Sequence, residues 1–191
     1  MSLRFTAILA GTLLAAGCTS LPPAALPGRD QLRDFALEAR FALRVTLPDQ
    51  APQSSGGRLS WIYKSGDNRV LVSSPLGYGL AEIETTPGLS RLKTADGATR
   101  ESSDADALME EVTGQRLPVT QMPAWLLGRS SGRAQIVNDV HNRPSRLREA
   151  GWQVDYGYED ETSTALPARV TLSRDGEIEL RLRIEEWKDQ P

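Results

Sequence analysis

One cysteine, one histidine and three lysines (Lys64, Lys93 and Lys188) are all that the 191 residues hold of those types. A single thiol excludes an intrachain disulfide, and one cysteine with one histidine cannot assemble a Cys/His zinc set. Basic charge is also scarce. Lys plus Arg number 22 against 25 Asp plus Glu, a net charge of −3, so the chain lacks the basic balance that nucleic-acid binding calls for. Its one long apolar run, residues 5–14, is too short to span a bilayer, and no second run approaches that length. There is no phosphate loop, dinucleotide fingerprint or EF-hand.

What is present begins where that apolar run ends. Arg4 supplies a positive n-region, and Leu14-Ala15-Ala16-Gly17 leads straight into the lone Cys18. This pattern resembles a bacterial lipoprotein signal, in which the thiol is acylated and becomes the first mature residue; an ordinary secretory signal with an incidental cysteine is the alternative. On the lipoprotein reading, residues 1–17 are removed and residues 18–29, rich in Pro, Ala and Leu, form a lipidated tether. Residues 30–191 then make one domain, with no cofactor beyond the lipid on Cys18. Thr19, rather than Asp, follows the cysteine, which points to sorting to the outer membrane.

Within the domain the hydrophobic period is mostly two. Residues 30–37 read as a short helix capped by Asp30. After it, Leu37, Ala39, Phe41, Leu43 and Val45 alternate with more polar neighbours, as a strand with one wet and one buried face requires. Residues 48–57 read as a loop. Further strands follow around Leu59, Trp61 and Tyr63, over residues 69–74, 79–85 and 89–94, and towards Thr99 and Arg100. They return at 152–158, 166–172 and 178–185, where Ile178, Leu180, Leu182 and Ile184 give the clearest alternation. Between the two groups, residues 103–114 read as a helix begun by Ser103 and acidic residues, with Leu108, Met109 and Val112 on one face. Pro123-Ala124-Trp125-Leu126-Leu127-Gly128 reads as a second short helix.

Strands with one apolar face must cover it, and the stretch 103–128 is the available cover. The expected fold is mainly β: an incomplete antiparallel barrel under a small helical lid. Its inner face would carry Phe41, Leu43, Trp61, Val70, Val72, Ile83, Leu92, Trp152, Val154, Val170, Leu172, Leu180 and Leu182. The lid would add Leu108, Met109, Val112, Leu117, Trp125 and Leu126. These residues either close into a solid core or stand partly apart around an apolar cavity. Pro75-Leu76-Gly77 fixes a tight turn between strands; Leu76 either projects into solvent or folds back on the barrel end.

Catalytic patterns are weak. Gly128-Arg129-Ser130-Ser131-Gly132 matches G-x-S-x-G, yet a helix precedes the serine where a nucleophile elbow needs a strand. His141, the one available base, lies in a polar stretch and reads as an exposed loop residue. Glu110-Glu111 and Glu185-Glu186 read as solvated faces. The chain reads as a binding protein and not an enzyme.

Taken in order, several short segments are similar to the LolB family of outer-membrane lipoprotein receptors. They include the lipobox at Cys18, Ala39-Arg40-Phe41-Ala42, Leu59-Ser60-Trp61, Ser74-Pro75-Leu76-Gly77 and Leu117-Pro118-Val119. The helix leading to Thr113-Gly114, Trp125-Leu126-Leu127-Gly128, Gly151-Trp152-Gln153-Val154-Asp155-Tyr156, Leu166-Pro167 and Arg183-Ile184-Glu185-Glu186-Trp187 complete the series. The resemblance implies a half-open barrel with a helical lid over an acyl-chain cavity. It implies partners: the periplasmic carrier LolA, acylated lipoprotein cargo and the inner leaflet of the outer membrane, with the chain acting as a monomer anchored on the periplasmic side. Pro75, Leu76 and Gly77 would form the membrane-insertion loop. The acyl cavity would be lined by Phe41, Leu43, Trp61, Val70, Val72, Ile83, Leu92, Leu108, Val112, Trp125, Leu126, Trp152, Val154, Leu180 and Leu182. A lipid or glycolipid carrier or sensor of the same fold is the alternative. Ala39 stands where family members often carry glycine beside the opening arginine.

Overall fold

The computed structural model describes residues 26–113, 115–130 and 132–189, the side chains of residues 112 and 113 excepted. The expected signal, the expected acylation site Cys18, most of the expected tether, Gly114, Ser131 and the side chain of Val112 therefore lie outside the described residues.

Eleven strands form one antiparallel sheet: β1 Phe35–Val45, β2 Gln53–Lys64, β3 Asp67–Ser73, β4 Gly79–Thr86, β5 Leu89–Thr94, β6 Thr99–Ser102, β7 Gln135–Asn138, β8 Pro144–Glu149, β9 Trp152–Gly157, β10 Arg169–Arg174 and β11 Ile178–Asp189. Their order is β6-β5-β4-β3-β2-β1-β11-β10-β9-β8-β7. The sheet is open, with β6 and β7 as its edges, so the expected unclosed, mainly β architecture is what the chain adopts. Helices α1 (Ala105–Thr113) and α2 (Met122–Leu126) come between those two edges in the chain. The connection from one edge to the other thus doubles as the cover.

The period-two segments fold as strands, although the one read from residue 166 begins only at Arg169, with Leu166, Pro167 and Ala168 leading into it. Along β11, Ile178, Leu180, Leu182 and Ile184 are buried while Arg181, Arg183 and Glu185 are exposed. Four local expectations are corrected. Residues 30–37 are not a helix: a turn in which Gln31 and Leu32 N–H donate to the Gly28 carbonyl (2.9 and 3.0 Å) leads into β1. Phe35, Ala36 and Leu37 are all buried there, and Phe35 meets the rings of Tyr63 (5.5 Å) and Trp187 (5.3 Å), so tertiary burial overrides the local cap signal.

The stretch read as a loop over 48–57 is strand from Gln53 onward. Its glycines serve close backbone approach: a Cβ at Gly57 would lie 2.1 Å from the Ser73 carbonyl oxygen. The cap of α1 is Asp104 rather than Ser103; its carboxylate accepts from the N–H groups of Asp106 and Ala107, both at 3.0 Å. Finally, β7 and β8 were not foreseen. All of β7 is exposed and β8 buries only Pro144 and Leu147, so neither shows a sustained alternation.

Candidate functional site

The helices divide the space under the sheet into two unlike halves. On the β8–β10 side it is filled. Trp125 of α2 is fully buried, stacks obliquely near Trp152 (6.5 Å between rings) and donates its indole N–H to Glu149 at 2.6 Å. Tyr156 donates its hydroxyl to the Trp125 carbonyl at 2.7 Å. Burial pushes that phenol well above its ordinary pKa, so it is a protonated donor at neutral pH. These bonds fasten α2 to β8 and β9.

On the β1–β5 side the sheet and cover stand apart around an apolar cavity of about 310 Å³. Phe41 and Leu43 of β1, Trp61 of β2, Val70 and Val72 of β3, Ile83 of β4, Leu92 of β5 and Leu180 of β11 form part of its wall. Leu108, Trp125, Leu126, Trp152, Val154 and Leu182 do not line it; each is at most 5% exposed within packed core. The half-barrel is therefore hollow on one side and solid on the other, a distinction that hydrophobic period alone does not carry.

The wall also includes Ser55, Gly56, Leu59, Leu80 and Ala81, and the cover contributes Met109, Leu117, Val119 and Met122. Of these, Met109 and Leu117 were expected under the lid. Leu59 and Ala81 carried a readable signal, lying two residues before Trp61 and Ile83 on the same strand faces. Two methionines in the cover suit an adaptable contact, since the unbranched thioether side chain repacks at little strain.

Trp61 shows how a polar atom is kept out of the hollow. Its indole N–H donates to Asn68 Oδ1 at 3.0 Å, and Asn68 Nδ2 donates to Thr85 Oγ1 at 3.0 Å; all three residues are buried. The chain of bonds runs across β2, β3 and β4 and fixes the indole in the wall. Asn68→Leu orphans that N–H, and a stability loss of about 1–3 kcal/mol is expected. Urea denaturation measures it as a lower midpoint at unchanged slope; an unshifted midpoint would show that the bond chain does no structural work.

At the cavity's margin stands the turn joining β3 to β4. Gly77 N–H donates to the Ser74 carbonyl at 2.9 Å, and the Ser74 hydroxyl accepts from Tyr78 N–H at 3.1 Å. Gly77 has φ +89°, a conformation open to glycine at little strain. Leu76 is thereby held 84% exposed, so it projects and does not fold back. Tyr78 and Leu80 are exposed as well, and Leu80 also belongs to the cavity wall. An apolar path thus leads from the projecting tip into the hollow.

The G-x-S-x-G segment has a structural use. Ser130 donates to Glu149 Oε1 at 2.9 Å and accepts from Gly132 N–H at 2.9 Å, beside the Trp125 bond to the same carboxylate. His141 sits in the β7–β8 turn, half-buried rather than exposed as expected, with its N–H on Asp139 at 2.9 Å. That turn is locked by Arg143, which donates to Asp139 at 2.7 Å; this bond holds the Asp139 carboxyl down at about 2.

The sequence model of the family described as outer membrane lipoprotein LolB matches residues 33–187. The chain belongs to the LolB family. Among curated relatives, the outer-membrane lipoprotein LolB of Dechloromonas aromatica is 69% identical over 191 residues, covering 100% of both chains. That of Azoarcus is 34% identical over 97% of this chain and 96% of its own, and that of Halorhodospira halophila 32% identical over 96% and 94%. A crystal structure of a LolA superfamily protein from Nitrosomonas europaea aligns with TM-score 0.49 and 13% identity, covering 82% of this chain and 86% of that one. LolB proteins are outer-membrane lipoproteins, and this chain is one of them.

Proposed function

We propose that the chain, acylated at Cys18, receives acylated lipoproteins from the periplasmic carrier LolA as a monomer. It holds their acyl chains in the β1–β5 cavity and passes them into the inner leaflet of the outer membrane. The observation that carries this reading is the pairing of an apolar cavity of about 310 Å³ with an exposed leucine on an adjoining tight turn. A buried methylene is worth about 0.8 kcal/mol, so a multiply acylated protein does not cross water unaided at a useful rate. A hollow walled by Trp61, Phe41 and aliphatic side chains supplies a lower-energy stop on the way. The volume lies near the small end of ligand pockets, roughly 300–1,000 Å³. On this reading, further chains are accommodated by the cover, with its Met109 and Met122, lifting away from the sheet. With no nucleotide motif, transfer runs downhill from carrier to receptor to membrane.

The test is a hand-off in solution. LolA loaded with an acylated lipoprotein is mixed with the purified chain and the two are separated. Cargo is expected to move to the chain; cargo that stays on LolA contradicts the proposal.

A further inference from the structure

Strand register sets four arginines in one transverse row on the outer face of the sheet. Arg40 of β1 stands opposite Arg58 of β2 on one side and Arg183 of β11 on the other, and Arg183 stands opposite Arg169 of β10. All four face outward, since Ala39, Leu59, Leu182 and Val170 beside them are buried. With strands about 4.8 Å apart, the row spans roughly 14 Å. Like charges directly opposite one another work against the sheet that carries them.

Carboxylates of the same face leave half of the row uncompensated. Glu185 is shared between Arg40 (2.7 Å) and Arg58 (2.8 Å), Glu179 pairs with Arg181 (2.7 Å), and Asp155 pairs with Arg146 (2.5 Å). Glu38 lies two residues before Arg40. Arg183 and Arg169 make no ion pair and no side-chain hydrogen bond among the described residues. A shallow groove of about 290 Å³ lies among Arg40, Arg169, Arg181 and Arg183, with the small residues Ala42 and Thr171 between them. The chain as a whole is acidic, at −3, so this is a local concentration of positive charge and no consequence of composition.

The row continues towards the projecting turn. Opposite Arg58 stands Ser73, the last residue of β3, and Ser74-Pro75-Leu76-Gly77 follows directly. Guanidinium row and apolar tip therefore arise at the same level of the sheet. Guanidinium forks match phosphate oxygens in pairs, and a basic strip beside an inserting apolar group is the arrangement that engages an anionic leaflet.

We propose that Arg58, Arg40, Arg183 and Arg169 form a binding strip for the phosphodiester headgroups of anionic lipid, engaged while Leu76 enters the leaflet. The proposal rests on the delivery reading of Leu76. Arg183 and Arg169 carry the free binding capacity, and Arg40 and Arg58 exchange part of their hold on Glu185 for phosphate.

The test uses the full, lipidated chain reconstituted in phosphatidylethanolamine vesicles with or without phosphatidylglycerol bearing a photoreactive headgroup. Labelling of the β10 and β11 peptides is expected with phosphatidylglycerol and is expected to fall roughly ten- to thirtyfold in R169Q/R183Q, the effect of losing two surface charges. That variant should melt at or above the wild type, since opposed charges are removed. Equal labelling of variant and wild type overturns the strip. Labelling abolished by millimolar inorganic phosphate overturns the headgroup assignment in favour of a free-phosphate site. R169Q/R183Q should still take cargo from LolA in solution. If wild type takes no cargo yet labels through these arginines, the receptor reading falls and the strip stands.

Discussion

Leu76→Glu is expected to accept lipoprotein from LolA as the wild type does and to deliver it into liposomes about ten- to a hundredfold more slowly. The two steps separate because the side chain belongs to the surface and not to the hollow. Leu76 is 84% exposed, makes no part of the cavity wall, and rides on a turn held by backbone bonds from Gly77 and Tyr78 that the substitution leaves alone. Burying such a leucine in hydrocarbon contributes about 1.5–3 kcal/mol, and a carboxylate in its place reverses the sign. Folding is unaffected, since the site is already solvated in the native state. Transfer to liposomes of cargo preloaded on wild type and variant reads the effect. Equal delivery by the two removes Leu76 from the mechanism.

The second large effect concerns the hollow itself. Ala81 of β4 lies in the cavity wall opposite Val72 of β3, on the same face as Ile83. Ala81→Trp places an indole where the acyl chain is to lie. A substitution of that size inside a packed core costs about 1–3 kcal/mol through strain, but here it meets space already empty. Stability is therefore expected to hold or rise. Each methylene the indole excludes forfeits about 0.8 kcal/mol, so displacing about four of them weakens acyl binding roughly two hundredfold. Titration with a fluorescent fatty acid measures this, with thermal unfolding as the control. Undiminished binding in a stably folded variant would place the acyl chain elsewhere.

The sheet was legible because alternation is a strong signal wherever one face is buried, as along β1 and β11. It failed where burial did not alternate. Phe35, Ala36 and Leu37 are buried on both sides and looked like a helix; Gly56 and Gly57 looked like a loop because what they provide is close backbone approach, not side-chain contact. The exposed edge strand β7 carried no pattern to read. For the site, period two located inward-facing residues but could not say whether facing side chains meet. Trp125 and Trp152 meet, at 6.5 Å, and that half is solid; Trp61 faces Met109, Leu117 and Met122 across open space. That difference comes from where the two short helices settle, and α2 is drawn to one side by Glu149 and Tyr156, bonds between residues far apart in the chain.

The most direct measurement places a photoreactive diazirine at the end of a cargo acyl chain, activates it after hand-off from LolA, and maps the adducts by mass spectrometry. Adducts are expected on wall residues such as Phe41, Trp61, Val72, Leu117 and Met122. Adducts confined to the outer face of the sheet, or to the filled half around Trp125 and Trp152, would contradict an acyl chain housed beneath the methionine-bearing cover.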